Sequence, residues 1–175
     1  VSGYHAAIGA GADIAVVMAG DGQMDPADLP RLLAPICEAG ADYVKGNRFL
    51  HPRLWQAMPW GRIIAGRALA WFTRVATGYR DLQDSQCGFT AARAAILARC
   101  DLDTLYPRYG YPNALLARVC ALQGRIAQVM VRPLYRGEPS GVRPYMVIYP
   151  VGFLVARIAL RRLVANARAG LAFTR

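Results

Sequence analysis

Lysine is nearly absent from this chain: Lys45 stands alone, and arginine supplies the rest of the 21 basic residues. Acids are also scarce, at 11, so the formal net charge is +10. Cysteine occurs four times, at Cys37, Cys87, Cys100 and Cys120, with no CxxC pair. That excludes a zinc ribbon or a dithiol redox motif, and the four residues read as reduced, buried, small hydrophobes in a cytosolic protein. The two histidines, His5 and His51, have no metal-ligand spacing. No apolar run reaches the roughly 20 residues that a bilayer span needs. Neither an internal repeat nor a low-complexity linker is present, and no secretory leader is visible behind Val1. What remains is a 175-residue chain, 55% hydrophobic and 18% charged. That is enough for one cored domain and too apolar for disorder.

The excess of arginine calls for an anionic partner, because a planar guanidinium fork matches phosphate oxygens better than solubility alone requires. Nucleic acid, lipid headgroups and phosphorylated substrates all qualify. No recognised nucleic-acid motif appears and the arginines are spread over all segments, so an arginine-rich nucleic-acid binder ranks low.

Periodicity predicts an α/β domain. Ser2 to Gly11 reads as a helix and Ile14 to Val17 as a buried strand. Asp25 with Pro26 caps the helix over Ala27 to Glu38, with Asp28 where a capping box puts its acid. Gly40 closes that helix. Ala41 to Arg48 reads as a second strand, and strand–helix–strand order is the signature of a parallel sheet. Phe49 to Pro59 is a connector. A long helix covers Trp60 to Thr77, stopped by Gly78. Gln86 to Thr90 reads as a short strand, Ala91 to Arg99 and Tyr111 to Gln123 as helices, and Arg125 to Tyr135 as a strand. Gly137 to Arg143 is a loop. From Phe153 onward the pattern is helical, with Arg157, Arg161 and Arg168 on one face and Val155, Ile158, Ala159 and Leu163 away from it. That composition suits a helix lying at a membrane surface. A helix packed on the domain is the other reading. The expected division is 1–143 for the domain and 144–175 for the tail.

The stretch that bears chemistry is Ala19-Gly20-Asp21-Gly22-Gln23-Met24-Asp25. It lies where the first strand ends, and open α/β sheets bind ligands beyond the carboxyl ends of their strands. Its side-chain oxygens suit a hard cation such as Mg²⁺ or Mn²⁺, which in turn binds phosphates. For Asp25 the helix cap is the preferred role.

Asp21-Gly22-Gln23-Met24-Asp25-Pro26, then Gly46-Asn47-Arg48, then Asp84-Ser85-Gln86-Cys87-Gly88-Phe89 follow in order at domain-scale spacing. Together they resemble the family 2 glycosyltransferases that act on polyprenyl phosphates, the dolichol-phosphate mannosyltransferase and glucosyltransferase group. Tyr106 to Asn113 and Ser140 to Arg143 resemble a bacterial branch of that group. The resemblance implies a GT-A-type, Rossmann-like, mostly parallel sheet whose first βαβ unit precedes Val1. It implies inverting transfer of a sugar from a nucleotide-diphosphate sugar to a polyprenyl (undecaprenyl or dolichyl) phosphate at the cytoplasmic face of the cell membrane, on an anionic membrane surface. It also implies roles. Asp21 matches the last acid of the metal-binding DxD motif, and Gln23 supports the same Mg²⁺ or Mn²⁺. Asp84 is the catalytic-site acid that positions the acceptor. Arg48 and Arg62 bind the acceptor phosphate, and Arg136 and Arg143 close over the donor diphosphate. Asp81 falls outside the matched run. Three positions depart from the pattern: Ala19 replaces the first acid of the motif, Gly66 stands where serine is usual, and Ala114 where an acid is usual. These departures feed a rival reading, a non-catalytic membrane-peripheral protein on the same fold.

Overall fold

The computed structural model describes residues 1–106, 110–134, 152–153, 155–160 and 164. Helix α1 (Ser2–Gly9) leads into strand β1 (Ile14–Val17). A 3-10 turn at Pro26–Asp28 then feeds α2 (Leu29–Ala39). Asp25 caps that turn as expected, its Oδ1 accepting from Ala27 N at 2.9 Å. Gly40 ends α2 at φ 69°, a left-handed conformation that glycine takes without steric cost. Asp28 departs from the capping-box expectation. It is buried, and its Oδ2 accepts instead from Arg132 N at 2.7 Å, a long-range bond that ties α2 to the end of the last strand.

Strand β2 (Tyr43–Asn47) is followed by a 3-10 turn at Arg48–Leu50, a short α3 (Leu54–Ala57) and the long α4 (Trp60–Thr77). Gly78 stops α4 at φ 77°. Strand β3 (Thr90–Arg93), α5 (Ala94–Ala98), α6 (Tyr111–Ala121) and β4 (Ile126–Met130) complete the described elements. Two expectations are corrected here. Gln86 to Phe89 is loop rather than strand, and Ala91 to Arg93 is strand rather than helix. Alanine favours helix locally, but Ala91 and Ala92 sit buried at the centre of the sheet, where tertiary pairing overrides that preference.

The sheet order is β1-β3-β2-β4. β2 and β4 pair parallel, but β3 runs antiparallel to both β1 and β2. The expected run of parallel neighbours is therefore interrupted: β1 and β2 point the same way, with β3 inserted between them. Alternation along β2 divides the core. Tyr43 joins the cluster under α1, α5 and α6, whereas Val44 joins the cluster with Leu32 and Ile36 of α2. Helices thus cover both faces, and the Asn47 end of β2, the Val17 end of β1 and the Thr90 end of β3 share one edge.

Gly46 lies where the 87–89 segment and Val131 both press close on β2. A Cβ there would lie 3.0 Å from both Cys87 Sγ and Val131 Cγ2 and 3.1 Å from Phe89 O. Gly46→Ala is expected to cost about 1–3 kcal/mol through overpacking. Urea unfolding measures it, and an unchanged midpoint would show that the strands separate more easily than the packing implies.

The cysteines divide. Cys87 and Cys100 are buried and Cys120 is half-buried, but Cys37 on α2 is exposed, against the expectation that all four are covered. Burial pushes the Cys87 thiol up, which leaves it a packing residue rather than a nucleophile.

Candidate active site

The shared edge of the sheet collects most of the residues singled out above. After β1 the chain forms the 18–25 loop. Met24 anchors it, with Sδ accepting from Ala19 N at 3.2 Å and the side chain packed into the α2 cluster. Gly22 adopts φ 71°, and Asp21 Oδ1 accepts from Gln23 N at 3.0 Å. This local turn holds the Asp21 carboxylate at the surface. Its Oδ2 has no hydrogen bond among the described residues.

From β4 the chain returns to this loop. Leu134 N donates to Gln23 O at 3.4 Å, and Arg132 Nη2 lies 3.3 Å from Asp25 Oδ2. Asp25 is thus a cap and an ion-pair partner, as the cap reading expects. Arg136 and Arg143, two and nine positions beyond Leu134, lie outside the described residues.

Asp84 is the centre of the second cluster. Its side chain is wholly buried, and both oxygens are saturated. Oδ2 accepts from Arg48 Nε at 2.7 Å and Arg48 N at 3.2 Å. Oδ1 accepts from Arg48 Nη2 at 2.9 Å, Gln86 N at 3.1 Å and Cys87 N at 3.0 Å. Burial alone raises a carboxyl's pKa. Here the Arg48 guanidinium and its hydrogen bonds outweigh burial and hold Asp84 below the usual carboxylate range. Arg48 is thus the ion-pair partner of Asp84, whereas Arg93 of β3 donates to the carbonyls of Ile36 and Ala41 at the end of α2.

The sequence reading passed over the strap that holds this cluster. Lys45 lies fully buried in β2 and donates to Cys87 O. Asn47 Nδ2 donates to Gln83 Oε1 at 3.2 Å and Gln128 Oε1 at 3.3 Å. Gln128 also accepts from Gln83 N at 3.0 Å and donates to Asp81 O at 2.6 Å. Segment 81–87 is therefore laced to β2 and β4 by side chains pointing to one face of the sheet. The available signal was Lys45 itself, the sole lysine, set in an apolar strand.

Arg62 lies in the first turn of α4, one position before Ile63, which packs with Phe49, the neighbour of Arg48. Phe49, next to Arg48, packs with Leu54, Met58 and Ile63, and a Cβ on Gly66 would lie 2.7 Å from its ring. The glycine departure at 66 makes room for Phe49. The Met24 methyl would lie 3.2 Å from a Cβ on Gly88, so the Asp21 loop rests against the Asp84 segment. Ala114, the other departure, is buried in the α6 core beside Asn113, whose side-chain amide is fully buried with no hydrogen bond among the described residues.

The residues available to a cation are few. Among the described residues no group of three His, Cys, Asp or Glu side chains converges. Asp21 offers one exposed carboxylate with an uncommitted oxygen. That fits a Mg²⁺-type ion, which takes one or two carboxylates and fills its shell from substrate phosphates and water.

No family model matches the chain. A glycosyltransferase of Mycobacterium tuberculosis is 34% identical over 135 residues, covering 74% of this chain and 58% of that protein. The undecaprenyl-phosphate mannosyltransferase of Micrococcus luteus is 30% identical over 146 residues, 81% of this chain and 59% of that one. The UDP-N-acetylglucosamine–dolichyl-phosphate N-acetylglucosaminyltransferase of Methanococcus voltae is 28% identical over 135 residues, 77% and 53%. The chain is homologous to the polyprenyl-phosphate glycosyltransferases. It spans between half and three-fifths of the length of these relatives. Among solved structures, glucosyl-3-phosphoglycerate synthase from Mycobacterium tuberculosis, crystallised with Mn²⁺ and UDP-glucose, superposes with a TM-score of 0.62 at 21% identity. The match covers 89% of this chain and 52% of that one. That likeness establishes the GT-A fold for this glycosyltransferase homologue.

Proposed function

We propose that this chain carries the acceptor side and part of the donor side of an inverting glycosyltransferase, which moves a sugar from a nucleotide-diphosphate sugar to a polyprenyl phosphate. The observation that carries the reading is the gathering of Asp21, Arg48 and Asp84 at one edge of the sheet from three separate segments. The M. luteus and M. voltae relatives act on undecaprenyl and dolichyl phosphates by their names, which supports a lipid phosphate as acceptor.

The chemistry fits what the site supplies. An acceptor phosphate is already ionised at neutral pH, so its oxygen attacks the anomeric carbon without losing a proton first. The bond to the donor diphosphate breaks as the new bond forms, and the nucleoside diphosphate leaves. Such a reaction needs orientation and charge stabilisation more than a base. Asp84 is suited to that limit: its lone pairs are committed, and it acts by holding Arg48. Arg48 and Arg62 supply positive charge on the acceptor side, and Asp21 with Gln23 faces the donor diphosphate. Asp21 and Gln23 would hold Mg²⁺ or Mn²⁺ there, which would supply neutralising charge to the leaving diphosphate. Arg136 and Arg143, outside the described residues, are assigned to the donor diphosphate, and the protein works at the cytoplasmic face of an anionic membrane.

Asp21→Ala is expected to lower transfer about 10²-fold or more and to leave the circular dichroism spectrum unchanged, since Asp21 makes only a local turn. Undiminished transfer that still requires a divalent ion would remove Asp21 from the role. The rival reading, a non-catalytic protein on the same fold, is favoured by Ala19 in place of the motif's first acid. Absence of sugar transfer by the parent protein with nucleotide sugar, divalent ion and polyprenyl phosphate all present would select it.

A further inference from the structure

Helix α4 buries one side and leaves the other open. Ile63, Ala70, Thr73 and Ala76 face inward. Trp60, Ile64, Trp71 and Val75 recur at helical spacing on the outer side, where Trp60 is 72% and Trp71 54% exposed. Phe72, also exposed, meets Trp71 edge to face with ring centroids 4.9 Å apart. Trp55 on α3 is 64% exposed, so all 3 tryptophans of the chain lie open in one stretch of sequence. Residues 155–160 are helical and lie against α4: Val155, Ile158 and Ala159 pack with Leu69 and Ala76. Val155, Ile158 and Ala159, three of the four apolar residues on the side read as facing a membrane surface or the domain, are thus used within the domain. The opposite side of that helix leaves Phe153, Arg157 and Leu160 exposed.

Charge is distributed to match. No acidic residue lies between Asp42 and Asp81, and none follows Glu138. The two helices that pack together come from these two acid-free stretches. α4 itself contributes Arg62, Arg67 and Arg74. At its C-terminal end a hollow of about 300 Å³ is lined by Trp71, Arg74, Val75, Gly78 and Arg80. Arg74 Nε is buried there with no hydrogen-bond partner among the described residues. A guanidinium with an unspent donor, beside the Trp71 ring, suits a phosphate headgroup at the boundary between acyl chains and water.

We propose that the outer face of α4, with Trp60, Ile64, Trp71, Phe72 and Val75 as its apolar comb, is the surface by which this protein docks on an anionic phospholipid bilayer. The adjoining helix at 155–160 supports α4 and widens that face. An amphipathic helix with aromatic residues on one side and only arginine as its charge lies in the interface plane rather than crossing it. Phe49, the neighbour of Arg48, packs against Ile63 and Gly66 on the inward side of this helix, so α4 meets the Arg48 segment with one side and turns its apolar comb outward with the other. The inference deepens the proposed lipid-phosphate reading by naming the surface that meets the bilayer holding the acceptor. Its test is binding, which stands apart from transfer.

The test uses the full chain with vesicles of phosphatidylcholine alone and of phosphatidylcholine with phosphatidylglycerol. Two of the three tryptophans, Trp60 and Trp71, lie on this face, so emission is weighted toward it. Expected are sedimentation with the anionic vesicles, a blue-shifted emission, and quenching by brominated acyl chains. Added salt should weaken the binding, since headgroup attraction is screened within about 8–10 Å. Replacing Trp60 and Trp71 together with serine should lower the partition constant about tenfold or more. Val16→Ser, at an exposed apolar site on the outer strand β1, should leave it unchanged. Three results would overturn the proposal: no binding by the parent, unquenched emission from bound parent, or equal partition by the double variant. An emission already blue-shifted without vesicles, varying with protein concentration, would likewise overturn it in favour of a second copy of the chain as occupant. The quenching measurement needs no variant, so misfolding of the double substitution leaves the proposal testable.

Discussion

Asp84→Ala should be the most damaging single change in this protein. It strips the half-buried Arg48 guanidinium of both carboxylate oxygens and leaves Gln86 N and Cys87 N without acceptors. Removing one partner of a buried ion pair costs about 3–5 kcal/mol. Sugar transfer should fall with it, because Arg48 loses the fork that aims it. Asp84→Asn keeps the shape and separates charge from packing: it should restore part of the stability while activity stays low. Chemical unfolding and transfer assays on the two variants measure this, and near-parent stability in the alanine variant would refute the pairing. The pH dependence has a definite sign. Asp84 titrates lower folded than unfolded, so its contribution is fully present above the ordinary carboxylate pKa and is lost as pH falls below it.

Lys45→Ala should be nearly as severe in stability, by about 2–5 kcal/mol, since it opens a cavity in β2 and orphans the Cys87 carbonyl. Lys45→Met fills the same volume without a charge and should cost far less, because it also removes a buried ammonium. The alkaline limb separates the two effects. Burial holds the Lys45 ammonium below the ordinary lysine value, while Cys87 and Asp84 pull it the other way. The unfolded chain therefore binds the proton more tightly. Between the folded pKa and the ordinary lysine value of 10.5, this residue's contribution makes the protein more stable as pH rises. Unfolding midpoints across that range should climb in the parent and flatten in Lys45→Met. Parallel curves would show that Lys45 is not the titrating group.

The sequence made some of this legible for identifiable reasons. The Asp25 cap, the Gly40 and Gly78 stops and the 18-residue α4 are local, and local chemistry writes them into adjacent residues. The strand at Thr90–Arg93 was hidden because its last three residues, Ala91, Ala92 and Arg93, are poor β-formers by themselves. Their pairing with β1 and β2 comes from residues far away in sequence. The same limit applies at the site. The motifs marked Asp84 and Arg48 separately, but nothing within either segment says that the two bind each other. Asp28 shows the converse: a good local explanation, the capping box, yields to a backbone N–H at Arg132. Lys45 was visible as a singularity of composition, yet only the fold shows that it reaches Cys87.

Cys87 is held from both sides, its N–H bonded to the Asp84 carboxylate and its carbonyl to the Lys45 ammonium. Two opposite charges thus clamp consecutive peptide planes, and rotating either one breaks a charge-assisted bond in a buried place. The ordering entropy of this segment is consequently spent at folding and is not charged again when substrate arrives. A site prepared in that way has little room to adapt: its specificity would shift through loops that approach it, not through the segment that bears Asp84.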